Sequence, residues 1–294
     1  MSKLNVVDCT GIKIELTQPA NRIVCLTAAG LDILLELEME PVGYLKKGVA
    51  YRPEFYGDRA KHFVPVGSWI APNLRAIRSL KPDLVIGWGF PHRFYRRWLG
   101  EQIPLYLMGG TGYKAALNRL RDVALLTERI PQSEVAIAKF HKRLEQFQAF
   151  IPTTSHKTVL LMGGSTLNRL SHKFIIETNI GTIGSILEQF THYPWFEPTG
   201  HNREPGLTNI SLRHILQVNP DVIFVQTYSP AKIPLSQQLR HHQIWQQLQA
   251  VQNQRVYEID ELWHFGNGTR MIGFTLDKLM PIIYPELISK KSVL

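Results

Sequence analysis

The chain has 294 residues, 44% of them hydrophobic, and a formal net charge of +9. That apolar content fills one large domain or two medium ones and excludes the disordered and collagenous classes. No apolar run reaches the roughly 18 residues of a bilayer span, and the positive balance favours an anionic partner: a small acidic ligand, a nucleic acid or an anionic surface.

The opening MSKLNVVDCTG carries a lysine but no apolar stretch of the kind a secretory signal needs. It fits a cytosolic protein, or an exported one whose leader has been trimmed. Cys9 and Cys25 are too few for a disulfide framework or a zinc site. They are expected as free or buried thiols, with a single Cys9–Cys25 bridge as the lesser alternative. Asp8 stands before Cys9, where a lipid-modified cysteine would need a small residue.

In chain order, residues 22–26 (RIVCL) and 41–44 (PVGY) read as short strands, with a helix over 29–37 between them. Residues 64–66 form the next strand candidate. NLRAIRSLKPDLVIGW follows, over 73–88. Leu74, Ile77 and Leu80 recur at helical spacing, Lys81-Pro82-Asp83 stops the helix, and Leu84-Val85-Ile86 is an all-apolar run suited to a strand covered on both faces. Residues 105–107 add a further strand. The second half repeats the phrase as SLRHILQVNPDVIFVQ, 138 residues later. Leu212, Ile215 and Val218 form the helical face, Asn219-Pro220-Asp221 the stop, and 222–225 the strand. A helix feeding a buried strand is one unit of a parallel α/β layer, so two copies predict two α/β lobes. Residues 158–162 (TVLLM) and 255–259 (RVYEI) supply further strands of the second lobe, and 185–190 a helix.

Between the lobes, Ile137, Phe140, Leu144, Phe147 and Ile151 make one apolar stripe, with a proline near each end and Glu134 in the first turn. This predicts a long helix over 131–152 joining a lobe of 1–130 to one of 153–294.

Five stretches in order, RIVCLTAAGLDILLELEMEPVGY, VGSWIAPNLRAIRSLKPDLVIG, SLRHILQVNPDVIFV, IWQQLQAVQNQRVYEIDELWHFG and LDKLMPIIYPEL, carry a resemblance across nearly the whole chain. It resembles the iron-siderophore and cobalamin type of ABC-transporter substrate-binding protein, the class III type with a single-helix hinge. The resemblance implies an α/β fold of two Rossmann-like lobes joined by one long helix. It implies a ligand held in the cleft between them, little movement on binding, and export to the periplasm or to the outer face of the inner membrane, so that this chain would be a trimmed mature form. It also implies a monomer that delivers its ligand to an inner-membrane permease.

Ligands of open α/β sheets bind beyond the carboxyl ends of the strands. WGFPHRFYRRW there offers Trp88, Phe90 and Arg93, while Arg96 and Arg97 read as a solvated basic face. GGSTLNR ends in Arg169 and is no phosphate loop, since it lacks the lysine and the glycine spacing. The long stretch YPWFEPTGHNREPG carries Trp195 and Arg203, with core packing an equal reading for its aromatics. Tyr228 follows the strand 222–225, and ELWHFGNGTR offers Trp263, Phe265 and Arg270. Tyr44, Arg52 and Trp69 occupy the corresponding loops of the first lobe.

Arginines pair bidentately with carboxylates and aromatics give flat walls. The set suits a bulky anionic ferric chelate of citrate-hydroxamate or ferric citrate type. Iron would arrive already coordinated, so no intrinsic cofactor and no direct metal ligand is expected. Haem or a corrinoid is the alternative, with Tyr44, Tyr228 or His264 as axial candidates for haem.

Nucleophile elbows, phosphate loops and zinc-hydrolase motifs are absent from the sequence, which argues against an enzyme. Only charge suggests nucleic acid, and no recognition module accompanies it. One departure from the family stands out. Many relatives carry a glutamate in each repeated phrase that docks on the permease; here those positions are Arg75 and Arg213.

Overall fold

A computed structural model of the chain describes residues 4–45, 49–100, 102–151, 156–164, 173–199, 205–227, 233–259 and 267–286. It divides into two compact units. The first comprises Met1–Gly110, Lys114–His141 and Asn267–Met271, the second Thr111–Tyr113, Lys142–Gly266 and Ile272–Leu294. No helix among the described residues is long and apolar enough to cross a membrane.

The first unit begins with a hairpin of β1 (Leu4–Val7) and β2 (Lys13–Leu16), paired antiparallel. Its turn is held by Asp8, whose Oδ1 accepts from Thr10 N–H (2.8 Å), Thr10 Oγ1 (2.6 Å) and Ile12 N–H (3.2 Å). Then come β3 (Ile23–Cys25), α1 (Ala28–Glu36), β4 (Gly43–Tyr44), β5 (Val64–Pro65), α2 (Leu74–Ser79) and β6 (Leu84–Trp88). The short helices α3 (Gly89–His92) and α4 (Arg96–Leu99) precede β7 (Leu105–Met108). The sheet order is β5-β4-β3-β6-β7, with every pair parallel. Ile23, Val24, Leu84, Val85 and Ile86 are fully buried, as expected of strands covered on both faces.

Helix α5 (Gly112–Leu126) ends where Glu128 takes a left-handed φ of 52° and Arg129 N–H reaches back to Ala124 O, a Schellman-type stop. Helix α6 (Ile130–Phe150) follows with Pro131 in its first turn, where a missing N–H costs nothing. Its stripe residues Ile137, Phe140, Leu144 and Phe147 are all buried.

The second unit contains β8 (Val159–Gly164), β9 (Lys173–Glu177), α7 (Gly184–Leu187), β10 (Leu207–Ser211), α8 (Leu212–Val218) and β11 (Val222–Thr227). After them come α9 (Leu235–Leu239), α10 (Gln243–Gln246), α11 (Gln249–Gln252), β12 (Val256–Glu258) and α12 (Thr269–Ile283). The sheet order β10-β9-β8-β11-β12 repeats that of the first unit, but only β8-β11-β12 is parallel. Strands β9 and β10 run antiparallel, so this sheet is mixed where two parallel layers were expected.

The repeated phrase folds the same way twice. Asn73 Oδ1 caps α2 by accepting from Ala76 N–H (3.1 Å), and Ser211 Oγ caps α8 by accepting from His214 N–H (3.3 Å). Lys81 and Asn219 turn the chain with left-handed φ values of 46° and 51°. The aspartate after each proline then ties two neighbouring strands together at their amino ends. Asp83 accepts from Asn21 N–H (2.8 Å) and Arg22 N–H (2.9 Å), just before β3. Asp221 accepts from Thr158 N–H (2.8 Å), just before β8.

Cys9 is exposed and Cys25 buried, and both thiols are free, so the Cys9–Cys25 bridge is not made.

Candidate functional site

In each unit the strand order reverses between the first strand and its later neighbour: β3 and β6 in the first, β8 and β11 in the second. Such switch points, at the carboxyl ends of the strands, are where open α/β sheets take ligands.

In the first unit β3 runs into Thr27, whose Oγ1 accepts from Gly30 N–H (2.9 Å) and caps α1. Beside it β6 ends at Trp88. The Trp88 N–H donates to His92 Nδ1 (2.9 Å), and the other ring nitrogen, Nε2, lies 2.9 Å from Trp69 O. One nitrogen accepts and the other donates, which is the pattern of a neutral imidazole. His92 is fully buried, and burial pushes its pKa down. Gly87 leaves room for this ring, since a Cβ there would fall 2.9 Å from His92 Cβ. The Trp69 ring stands edge-on to the imidazole at 5.9 Å. His92 therefore fastens together the segments that carry two predicted ligand residues, Trp69 and Trp88.

Beneath Trp88 lies Arg119, with its guanidinium carbon 5.0 Å from the indole centroid. Arg119 is 3% exposed and donates to Gly109 O (2.8 Å), Gly110 O (3.1 Å) and Asn267 O (2.8 Å). No carboxylate pairs with it among the described residues. Burial lowers its pKa to about 10, so it stays cationic at neutral pH. Three carbonyl oxygens stabilise the buried charge, but none neutralises it.

Phe90 and Arg93 are exposed, and Phe90 meets Phe94 edge-on at 6.2 Å. Arg270 is committed elsewhere: its Nε lies 3.1 Å from Oδ1 of the fully buried Asp32, and its guanidinium carbon sits 5.2 Å from the Phe55 centroid. Burial pushes the Asp32 carboxyl up to about 7, with Arg270 pulling the other way. Gly268 packs on this carboxylate so closely that any side chain there would collide with it. Arg52 donates from Nε to Glu54 (3.2 Å). Tyr44 is buried, and burial raises its phenol pKa.

In the second unit Trp195 is buried and its indole N–H donates to Val159 O (2.6 Å). The packing reading of this aromatic is the one its surroundings fit. Arg169, Arg203, Tyr228, Trp263, His264 and Phe265 lie outside the described residues. Arg75 and Arg213 are exposed on their capped helices.

Arg119 escapes a search confined to strand ends, because it belongs to α5. A signal exists in the sequence nonetheless. Ala116, Leu120 and Val123 line the buried face of α5, and Arg119 shares it at the same helical spacing. A charge on an apolar stripe needs a partner.

Residues 23–262 match the family described as periplasmic binding protein, and the chain belongs to it. It is a substrate-binding protein of the ABC-transporter kind, not an enzyme. The chain is 22% identical over 243 residues to the Fe(3+)-citrate-binding protein YfmC of Bacillus subtilis, covering 81% of this chain and 73% of the relative. It is 26% identical over 247 residues to the Fe(3+) dicitrate-binding periplasmic protein FecB of Escherichia coli, covering 83% and 78%. Staphylococcus aureus SirA, solved in complex with staphyloferrin B, shares the fold with a TM-score of 0.74 at 19% identity, covering 95% of this chain and 98% of that one.

Proposed function

We propose that this chain captures a ferric chelate of the ferric citrate or citrate-hydroxamate class and delivers it to an inner-membrane ABC permease. The observation that carries the reading is the carboxyl end of β6. There Trp88 lies over the uncompensated charge of Arg119, and His92 fastens its segment to the one that carries Trp69, next to exposed Phe90 and Arg93. Flat apolar faces backed by a fixed cation suit a bulky anionic complex. The names of the relatives YfmC and FecB support ferric citrate in particular.

In this reading the remaining ligand contacts come from the strand-end loops that carry Arg169, Arg203, Tyr228, Trp263 and Phe265. The helix of 131–152 joins lobes of 1–130 and 153–294. Capture takes place in the periplasm or on the outer face of the inner membrane. Arg75 and Arg213 are the permease-docking positions, and the permease meets them with acids.

The test is a titration of intrinsic tryptophan fluorescence in the purified chain with ferric citrate, a ferric citrate-hydroxamate and a ferric catecholate, with haem and cobalamin as controls. Saturable sub-micromolar quenching by a citrate-type chelate, lost in Trp88→Ala, is the expected result. Binding of haem with a Soret shift, or of cobalamin, with no response to any chelate, would replace the substrate.

A further inference from the structure

One surface of the first unit borders the capture site without being assigned to capture. The segment from α3 to α4 exposes Phe94 (57%) and Trp98 (60%), and the neighbouring loop exposes Ile70 (69%). Phe94 and Trp98 are four residues apart in consecutive helical turns, and Tyr95 beside them reaches the loop of Ile70, so these exposed apolar side chains are neighbours and point to an interaction site. They are also held in place. Tyr95 Oη donates to Ile70 O (2.6 Å), Arg78 donates to Trp98 O, and the Arg93 guanidinium carbon sits 4.9 Å from the Phe94 centroid. A surface ordered in advance loses little entropy when a partner covers it.

Charge says what that partner is. Residues 66–100 contain six bases (Arg75, Arg78, Lys81, Arg93, Arg96 and Arg97) and a single acid, Asp83. Asp83 is occupied by the backbone N–H groups before β3, and of the six bases Arg96 is paired with Asp8. Arg78, Arg93 and Arg97 are exposed around the aromatics. The cations here are arginines, which together with aromatics are enriched in the cores of protein interfaces, where lysine is depleted. Their planar forks match carboxylates two bonds at a time. A second copy of this chain would bring the same positive charge to the contact.

We infer that the α3–α4 face, centred on Phe94, Trp98 and Arg97, docks an acidic surface of a protein partner. The face borders the capture site through Phe90, which meets Phe94, and through Arg93, but its centre at Phe94, Trp98 and Arg97 is not assigned to capture, so the inference stands whichever ligand the chain carries.

The test places a photoreactive benzophenone side chain at position 94 or 98 of the full chain in its own cells, with position 135, an exposed site on α6, as control. Any protein joined from 94 and 98 but not from 135 is identified, purified and measured for affinity. The expected contact peptide is rich in Asp and Glu. Trp98→Ala and Arg97→Glu each weaken the complex at least tenfold, while Val135→Ala leaves it unchanged. A reciprocal acid-to-arginine change in the partner restores binding to Arg97→Glu. Both substituted side chains are exposed, and an unchanged thermal melt verifies folding. Adducts with lipid or nucleic acid alone, equal yields from 135, no adduct at all, or affinities indifferent to Arg97→Glu would each overturn the inference.

Discussion

Replacing Arg119 with methionine sets two opposed energies against each other. The guanidinium donates to three carbonyl oxygens, those of Gly109, Gly110 and Asn267. Hydrogen bonds from a charged donor are worth about 1.5–3 kcal/mol each. The cation–π contact with Trp88 adds about 1 kcal/mol. Against this, burial lowers the pKa of Arg119 from its ordinary value to about 10, and at about 1.4 kcal/mol per tenfold change the buried charge costs about 3 kcal/mol. Methionine fills a similar volume and removes that cost, but it abandons the carbonyls. Arg119→Met should therefore destabilise the fold by about 2–7 kcal/mol. Urea unfolding followed by circular dichroism and by tryptophan emission measures this. Arg119→Lys should fall in between, since one ammonium cannot reach three acceptors in a fixed fork. If Arg119→Met unfolds at the same urea concentration as the wild type or a higher one, the guanidinium is not holding the ends of β6 and β7, and the reasoning fails.

Two further outcomes follow from buried and repeated acids. Asp32 and Glu177 are both pushed up to about 7 by burial, from ordinary values of 3.8 and 4.5, so the folded chain binds more protons than the unfolded one between about pH 4 and 7. Their contribution is fully present at the acid end of that window and lost as pH rises through it. Buried His92 acts in the opposite sense below its usual 6.5, so the clean readout is the double variant Asp32→Asn/Glu177→Gln minus wild type. That difference should rise in the variant's favour from pH 4.5 to 8, and a flat difference would contradict the assignment. For the strand ties, Asp83→Ala should cost about 2 kcal/mol and Asp221→Ala about 1 kcal/mol in urea unfolding, because the first releases two backbone N–H groups and the second one. Equal or negligible costs would mean that water replaces the carboxylates.

The parallel parts of both sheets are legible because their central strands are mostly apolar and their helices carry caps, stops and a steady apolar face. The phrase beginning at Asn73 and again at Ser211 displays each of these in order. What escapes is what that pattern does not describe. β9 and β10 pair antiparallel at the edge of their sheet, and β10, written LTNIS, has no buried face to betray it. The hairpin strand KIEL does alternate, with Ile14 and Leu16 inside and Lys13 and Glu15 outside, yet a search for buried parallel strands passes over it. Around the candidate site, Trp69 and Trp88 follow from the rule of strand ends. Arg270 follows the same rule, yet is committed to Asp32, because a buried carboxylate on α1 leaves no trace in local spacing. Arg119 is hidden by its helix, and only the mismatch of a charge on an apolar face points to it.

The paired aspartates at 83 and 221 sit at the amino ends of the strands, and the candidate ligand groups of the first unit sit at the carboxyl ends. Each sheet is thus stapled at its base and open in composition at its rim. Rim loops can be exchanged, lengthened or recharged without touching the groups that fix strand order, so one scaffold can change its cargo by piecemeal substitution. Transplanting the 88–93 segment from a relative with another chelate should alter what is captured long before it alters whether the chain folds.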